Sequence, residues 1–149
     1  MQISTKFTIA VHLLTAVAYF SESQKVTSDF LAGSIGSNPV IIRNIMGQLK
    51  EAGLIDIKRG PGGVTLEKKL TDISFLDIYK AVETNSEEVL FRFHENPNPL
   101  CPIGRTIHKS LDGALEEIQK NFEVELSKWI LADVYENSLE ELRKEKQNE

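Results

Sequence analysis

A chain of 149 residues with 41% apolar and 26% charged residues has the makeup of one ordinary globular domain with a sizeable core, which sets aside disordered and fibrous classes. No apolar run approaches the roughly 18 residues of a membrane span. The net charge of −5 argues against a polyanionic partner until its distribution is considered: residues 1–69 carry +3 and residues 70–149 carry −8. The first apolar stretch, Phe7 to Phe20, is interrupted by His12 and Thr15. It lacks a basic leader and a small-residue cleavage site, so no signal peptide is expected. Cys101 is the single cysteine and cannot form an intrachain disulfide. Together these features predict a cytoplasmic protein.

In chain order, Phe7, Ile9, Ala10, Leu13, Leu14, Val17 and Ala18 recur at helical spacing and predict an amphipathic helix over 5–20. After a polar break, Thr27 or Ser28 caps a short helix with Phe30, Leu31 and Ile35. Gly36-Ser37-Asn38-Pro39 is a turn into a third helix, with Ser37 or Asn38 as cap and Pro39 at the first position. That helix carries Val40, Ile41, Ile45, Leu49 and Ala52 and stops at Gly53. Leu54 to Lys58 and Val64 to Leu66 read as the strands of a hairpin turned by Arg59-Gly60-Pro61-Gly62-Gly63. A helix with Ile73, Leu76, Ile78, Ala81 and Val82 follows, capped near Asp72 or Ser74.

Residues 84–102, with Asn96, Pro97, Asn98, Pro99 and Pro102, have loop chemistry. From Ile103, the positions Ile107, Leu111, Leu115, Ile118, Phe122 and Leu126 lie three or four apart and predict one long helix with one apolar stripe. A last helix is expected near Asp133, with Val134, Leu139 and Leu142, and the charged tail from Arg143 is expected to fray. The predicted fold is mainly α with a small β-hairpin wing: a winged helix-turn-helix domain (1–83), a connector that would house a sensor (84–102) and a helical dimerisation region (103–149).

A helix, a helix-turn-helix and a glycine-rich hairpin in succession point to duplex DNA as partner. The second helix of such a motif enters the major groove by its N-terminal residues, here Ser37, Asn38, Pro39, Val40, Ile41 and Arg43. Asparagine can pair adenine and arginine guanine, each by two hydrogen bonds. Ser37 and Asn38 would also serve as plain caps, and capping is compatible with DNA contact. Lys58 and Arg59 flank a thin turn made by Gly60, Pro61 and Gly62, so a cation there can reach a narrow minor groove. A nucleotide-binding loop would need a helix after the glycines, and a strand follows instead. A stripe of Ile103, Ile107, Leu111, Leu115 and Ile118 would leave a large apolar patch on a monomer. A second copy would cover it, and two-fold symmetry would then call for a palindromic operator.

Arg59-Gly60-Pro61-Gly62-Gly63, Asn38-Pro39-Val40 and the helix end Leu49-Lys50-Glu51-Ala52-Gly53-Leu54 resemble the Rrf2 family of bacterial regulators. Asn96 to Gly104 resembles its YwnA-like branch. The resemblance spans nearly the whole chain. It implies a homodimeric DNA-binding transcriptional regulator, acting as a repressor, with the long helix as dimer element, Arg59 in the minor groove and Ser37 to Arg43 facing the major groove. Val64 stands where the family often has an aromatic residue. Cluster-binding members resemble one another in three cysteines in the connector, where this chain has Cys101 alone. No cofactor is therefore expected. A site built from Cys101, His94 and His108, or shared across a dimer, is the alternative.

Cys101 itself precedes Pro102 and the expected start of the long helix, where a thiol would be activated for redox sensing. The competing reading is a small buried apolar residue. Glu87-Glu88, Glu116-Glu117 and Glu140-Glu141 read as solvated helix surface, and no constellation of catalytic side chains supports an enzyme. A winged fold serving only protein–protein contact remains the other alternative.

Overall fold

The computed structural model describes residues 4–59, 62–83 and 89–148. Helices α1 (Thr5–Phe20), α2 (Ser28–Ile35) and α3 (Pro39–Glu51) precede a hairpin of β1 (Ile55–Lys58) and β2 (Gly63–Leu66). A 3-10 turn (Leu70–Asp72) leads into α4 (Phe75–Val82), and α5 (Ile107–Lys128) and α6 (Leu131–Gln147) complete the chain. This is the mainly helical winged architecture that the sequence predicts.

The element ends follow from local chemistry. Ser4 caps α1, Thr27 accepts from Phe30 N–H at the start of α2, and Ser74 and Asp77 form a reciprocal capping box on α4. At the end of α3, Leu54 N–H donates to Leu49 C=O and Gly53 N–H to Lys50 C=O. The left-handed residue these bonds require is Gly53, at φ 77°.

One core unites these elements. Leu13, Leu14 and Val17 of α1, Leu31 of α2, Ile42, Ile45 and Leu49 of α3, Ile55 of β1 and Ile78 and Val82 of α4 are buried together. Leu131 of α6 enters the same core and is fully buried, although it lies within the segment expected to serve dimerisation. Backbone bonds fasten that junction: Phe75 N–H donates to Trp129 C=O and Leu131 N–H to Ile73 C=O, both at 2.8 Å. Across the core, the Ser4 hydroxyl donates to the buried Glu83 carboxylate.

Three expectations need correction. The long helix begins at Ile107, not Ile103, because the segment from Cys101 to Thr106 is wound into turns, with Arg105 N–H on Cys101 C=O and Thr106 N–H on Ile103 C=O. The last helix starts at Leu131, two residues before Asp133, whose carboxylate accepts from Ile130 N–H. Its charged end stays helical to Gln147 instead of fraying from Arg143, supported by the ion pairs Arg143–Glu140 and Lys144–Glu141.

The hairpin pairs Ile55 with Leu66, Asp56 with Thr65, Ile57 with Val64 and Lys58 with Gly63. It is anchored to the loop before α2 by Val64 N–H donating to Val26 C=O at 2.9 Å. Gly63 makes that approach possible. Its φ is 65°, and a Cβ there would fall 2.8 Å from Val26 O. Gly63→Ala should therefore destabilise the fold by about 1–3 kcal/mol through backbone strain and loss of this anchor. Urea denaturation checks this, and a midpoint equal to the parent's would show that the wing tolerates a side chain.

Candidate nucleic-acid interface

Helix α3 divides its residues between two jobs. Ile42, Ile45, Met46 and Leu49 are buried and hold the helix on the core. At about 3.6 residues per turn, the opposite face is formed by Val40, Asn44, Gly47 and Glu51, all exposed. Arg43 and Lys50, seven positions apart, project along one flank of that face, and Ile41 and Gln48 line the other. Nothing lies within 4 Å of a Cβ built at Gly47, so the middle of this face is open.

The residues singled out in sequence fall as follows. Asn38 is exposed and caps α3, its Oδ1 accepting from Val40 N–H at 2.8 Å. Ser37 is half-buried, and its N–H donates to Ala32 C=O at the end of α2. Of the two caps considered, the work falls to Asn38. Pro39 occupies the first turn of α3 and is exposed, and Val40 follows at 55% exposure. Lys58 ends β1 and Arg59 continues beyond it, both exposed, while Gly62 packs so closely on the Lys58 side chain that a Cβ would collide with it. Gly60 and Pro61 lie outside the described residues.

Among the described residues, Arg43, Lys50, Lys58 and Arg59 form no ion pair. They present free positive charge beside a bare helix face, which suits a polyanion. Asn44 was missed in the sequence reading, which stopped at Arg43. It stands one turn after Val40 on the outward face, and its side chain makes no hydrogen bond among the described residues. The helical period, continued one turn further, points to it.

The connector is fixed to α5. Leu90 N–H donates to Gln119 Oε1 at 2.8 Å, the Phe93 and His108 rings lie 4.5 Å apart, and His108 Nε2 lies 3.1 Å from His94 O. Cys101 is exposed in the turn before α5. Because α5 starts at Ile107, the thiol is not in a helical first turn, and the expected activation by the helix N-terminus does not apply. The alternative of a buried apolar cysteine is overturned by its exposure. Of the apolar stripe, Ile103 sits in the preceding turns at 68% exposure, while Ile107, Leu111, Leu115 and Ile118 lie on α5.

Asn38→Ala should remove the cap and cost about 1 kcal/mol, whereas Asn38→Ser, which restores an acceptor, should recover most of it. Thermal denaturation of both variants checks this, and equal melting of the two would dissociate Asn38 from capping.

Comparison with known proteins bears on this surface. The family model Rrf2, described as an iron-dependent transcriptional regulator, matches residues 3–137. YwnA of Bacillus subtilis (strain 168), by name a candidate HTH-type transcriptional regulator, is 38% identical over 132 residues, covering 89% of this chain and 96% of that protein. A crystal structure of a candidate DNA-binding protein superposes with a TM-score of 0.70 at 32% identity, covering 87% of this chain and 97% of that one. IscR of T. potens superposes with a TM-score of 0.66 at 24% identity over 93% of this chain and 88% of its own, a likeness of fold.

The iron in the family's description finds no matching donor set here. Among the described residues no three His, Cys, Asp or Glu side chains gather to hold an ion, and the connector offers one thiol. Family and relatives are transcriptional regulators and not enzymes. No described helix is long and apolar enough to cross a membrane. By fold and by sequence over residues 3–137, the chain belongs to the Rrf2 family of helix-turn-helix transcriptional regulators.

Proposed function

We propose that this regulator is a cytoplasmic homodimer that binds a palindromic operator and represses by occupying it. The observation that carries the DNA reading is the outward face of α3, bare of protein contacts and flanked by the unpaired cations Arg43, Lys50, Lys58 and Arg59. In this reading α3 lies in the major groove, with Ser37, Asn38, Pro39, Val40 and Arg43 at its leading end. The wing, from Lys58 through Gly62, follows the backbone into the adjacent minor groove with Arg59 foremost. Residues 1–83 serve DNA, 84–102 connect, and 103–149 join two subunits. The steric result of filling an operator is exclusion of polymerase, hence repression.

Dimerisation is supported by α5. None of its 22 residues is buried in the monomer. Only Phe122, edge-on to Tyr79 at 5.5 Å, makes an aromatic contact back to the body. Leu111 and Ile118 remain 37% and 46% exposed, and Phe91 and Phe93 of the connector, which flank Leu115, are 46% and 38% exposed. A patch of this kind is stable when a second copy covers it.

The exposure of Cys101 favours a second, regulatory reading, in which oxidation of its thiol to a sulfenic acid and condensation with another thiol lower operator affinity. With no other cysteine in the chain, the second thiol belongs to a partner subunit or to a small molecule.

Arg59→Ala should weaken operator binding by about 1–3 kcal/mol, with the largest loss on operators whose wing-facing segment is A·T-rich. Fluorescence anisotropy on operators selected from a random duplex pool measures this. Undiminished affinity would remove the wing from the interface, and an absence of salt-dependent binding to any duplex would favour a protein-interaction role for the fold. Ile118→Glu should shift the sedimenting species from dimer to monomer and weaken operator binding with it. A dimer persisting at micromolar concentration would place the interface elsewhere. Cys101→Ser should bind operator normally yet no longer respond to hydrogen peroxide, and a response retained by the serine variant would exonerate the thiol.

A further inference from the structure

The first turn of α3 carries two β-branched apolar side chains that the described residues leave about half exposed. Val40 is 55% exposed and Ile41 44%. Their neighbour Ile42 is fully buried, so the helix has its core contact without them. β-Branched residues are mediocre helix formers, and in water they gain nothing from packing. Their presence here calls for a partner that offers apolar groups within a polar and anionic frame, since Arg43 and Lys50 on the same helix and Lys58 and Arg59 on the wing are exposed and unpaired. Glu51, the acidic residue on the outward face, sits at the far end of the helix, away from the first turn.

The major groove of B-DNA offers one such apolar group, the 5-methyl of thymine. The alternative reader at this turn is already committed. Pairing adenine by two hydrogen bonds takes both the oxygen and the nitrogen of an asparagine amide, and Asn38 spends its Oδ1 on Val40 N–H at 2.8 Å. While the cap is formed, base reading at the start of the helix passes from Asn38 to the apolar pair behind it.

We propose that Val40 and Ile41 are specificity-determining residues that recognise thymine 5-methyl groups in each operator half-site. The proposal rests on α3 being the DNA-reading helix. It also assigns Asn38 a positioning role, holding the first turn so that both branched side chains face the groove. Asn44, one turn on and with its side chain free of hydrogen bonds among the described residues, is left as the polar base reader of the same face.

The test replaces thymine by deoxyuridine, one position at a time, in an operator selected by the full-length protein. The exchange removes a methyl group and leaves base pairing intact. At one or two positions per half-site, uracil should weaken binding by about three- to tenfold, the scale of one buried methyl group. Val40→Ala and Ile41→Ala should narrow the gap between thymine and uracil operators at the matching position, and Val40→Thr, which keeps one methyl group, should narrow it less. Far-ultraviolet circular dichroism and a thermal melt like the parent's should show that the variants are folded.

Equal binding of every uracil operator by the parent would overturn the proposal and leave the DNA reading intact. A uracil penalty that persists undiminished in all three variants would overturn it too, assigning the methyl contact to other residues. If the parent binds no duplex at low salt, the DNA reading of α3 falls, and the proposal with it.

Discussion

What α3 turns toward solvent depends on how that helix is seated in the core. Ile42, Ile45, Met46 and Leu49 sink one side of that helix into a core shared with α1, α2, β1 and α4. Burying each such side chain contributes on the order of 1.5–3 kcal/mol, ample to fix the helix in rotation as well as position. Once rotation is fixed, the opposite face is fixed too, and Val40, Asn44 and Gly47 face outward as a consequence of where the isoleucines point inward. A helix held only at its ends would lack this property. The two ends are also anchored, by the Asn38 amide at one and by Gly53 in the left-handed conformation at the other.

The wing is referred to the same frame by a different route. Its strand β2 hangs on the carbonyl of Val26, in the loop between α1 and α2, and Val64 drives its side chain into the core beside that bond. The sequence comparison had marked Val64 as a departure from the aromatic residue common in the family. Its burial at 2% exposure explains how a smaller side chain still fastens the wing. Helix and hairpin are therefore two projections from one core, and Lys58 and Arg59 keep a set distance from Arg43 because rigid packing, and not a direct contact, relates them.

The legibility of this arrangement in the sequence varied with the strength of the local signal. α1 was readable because its apolar residues repeat over four turns. The capped start of α3 was readable because Asn38-Pro39 combines a side-chain acceptor with a residue that suits the first helical position. The hairpin was readable because glycines interrupt two runs of β-branched residues. What failed was the boundary of α5. Ile103 falls in phase with Ile107, so periodicity extended the helix backwards by a turn, whereas the turns from Cys101 to Thr106 are set by contacts that no periodic pattern encodes. Asn98 is one source of them, accepting from Leu100 N–H through its side chain and from Cys101 N–H through its carbonyl. Gly104 packs against the backbone of Asn98 too closely for a side chain. The misplaced boundary carried an argument about Cys101 with it, since a thiol's chemistry depends on whether a helix begins beside it. Asn44 went unnoticed for the opposite reason: a lone polar residue on an exposed helix face carries no signal until the buried face has been located.

The connector also explains how a family described by its dependence on iron can include a chain without the ligands for it. The bonds that shape this segment run within it, through Asn98, and to α5, through Gln119 and His108. The packing that aims α3 and the wing lies on α1, α2, α4 and the Val26 loop. Residues that would ligate a metal in the connector are thus not residues that seat α3, and their replacement leaves the placement of α3 and the wing standing. The connector leads into α5, and the short link from α5 to α6 is fastened to the start of α4 by the Ser74–Ile130 bridge. Helix α5 meets α4 at the Tyr79–Phe122 ring contact. In a monomer that contact is small and α5 is otherwise unburied. If a second subunit packs along α5, as proposed above, it would cover this face and stiffen the element through which the connector meets the rest of the fold.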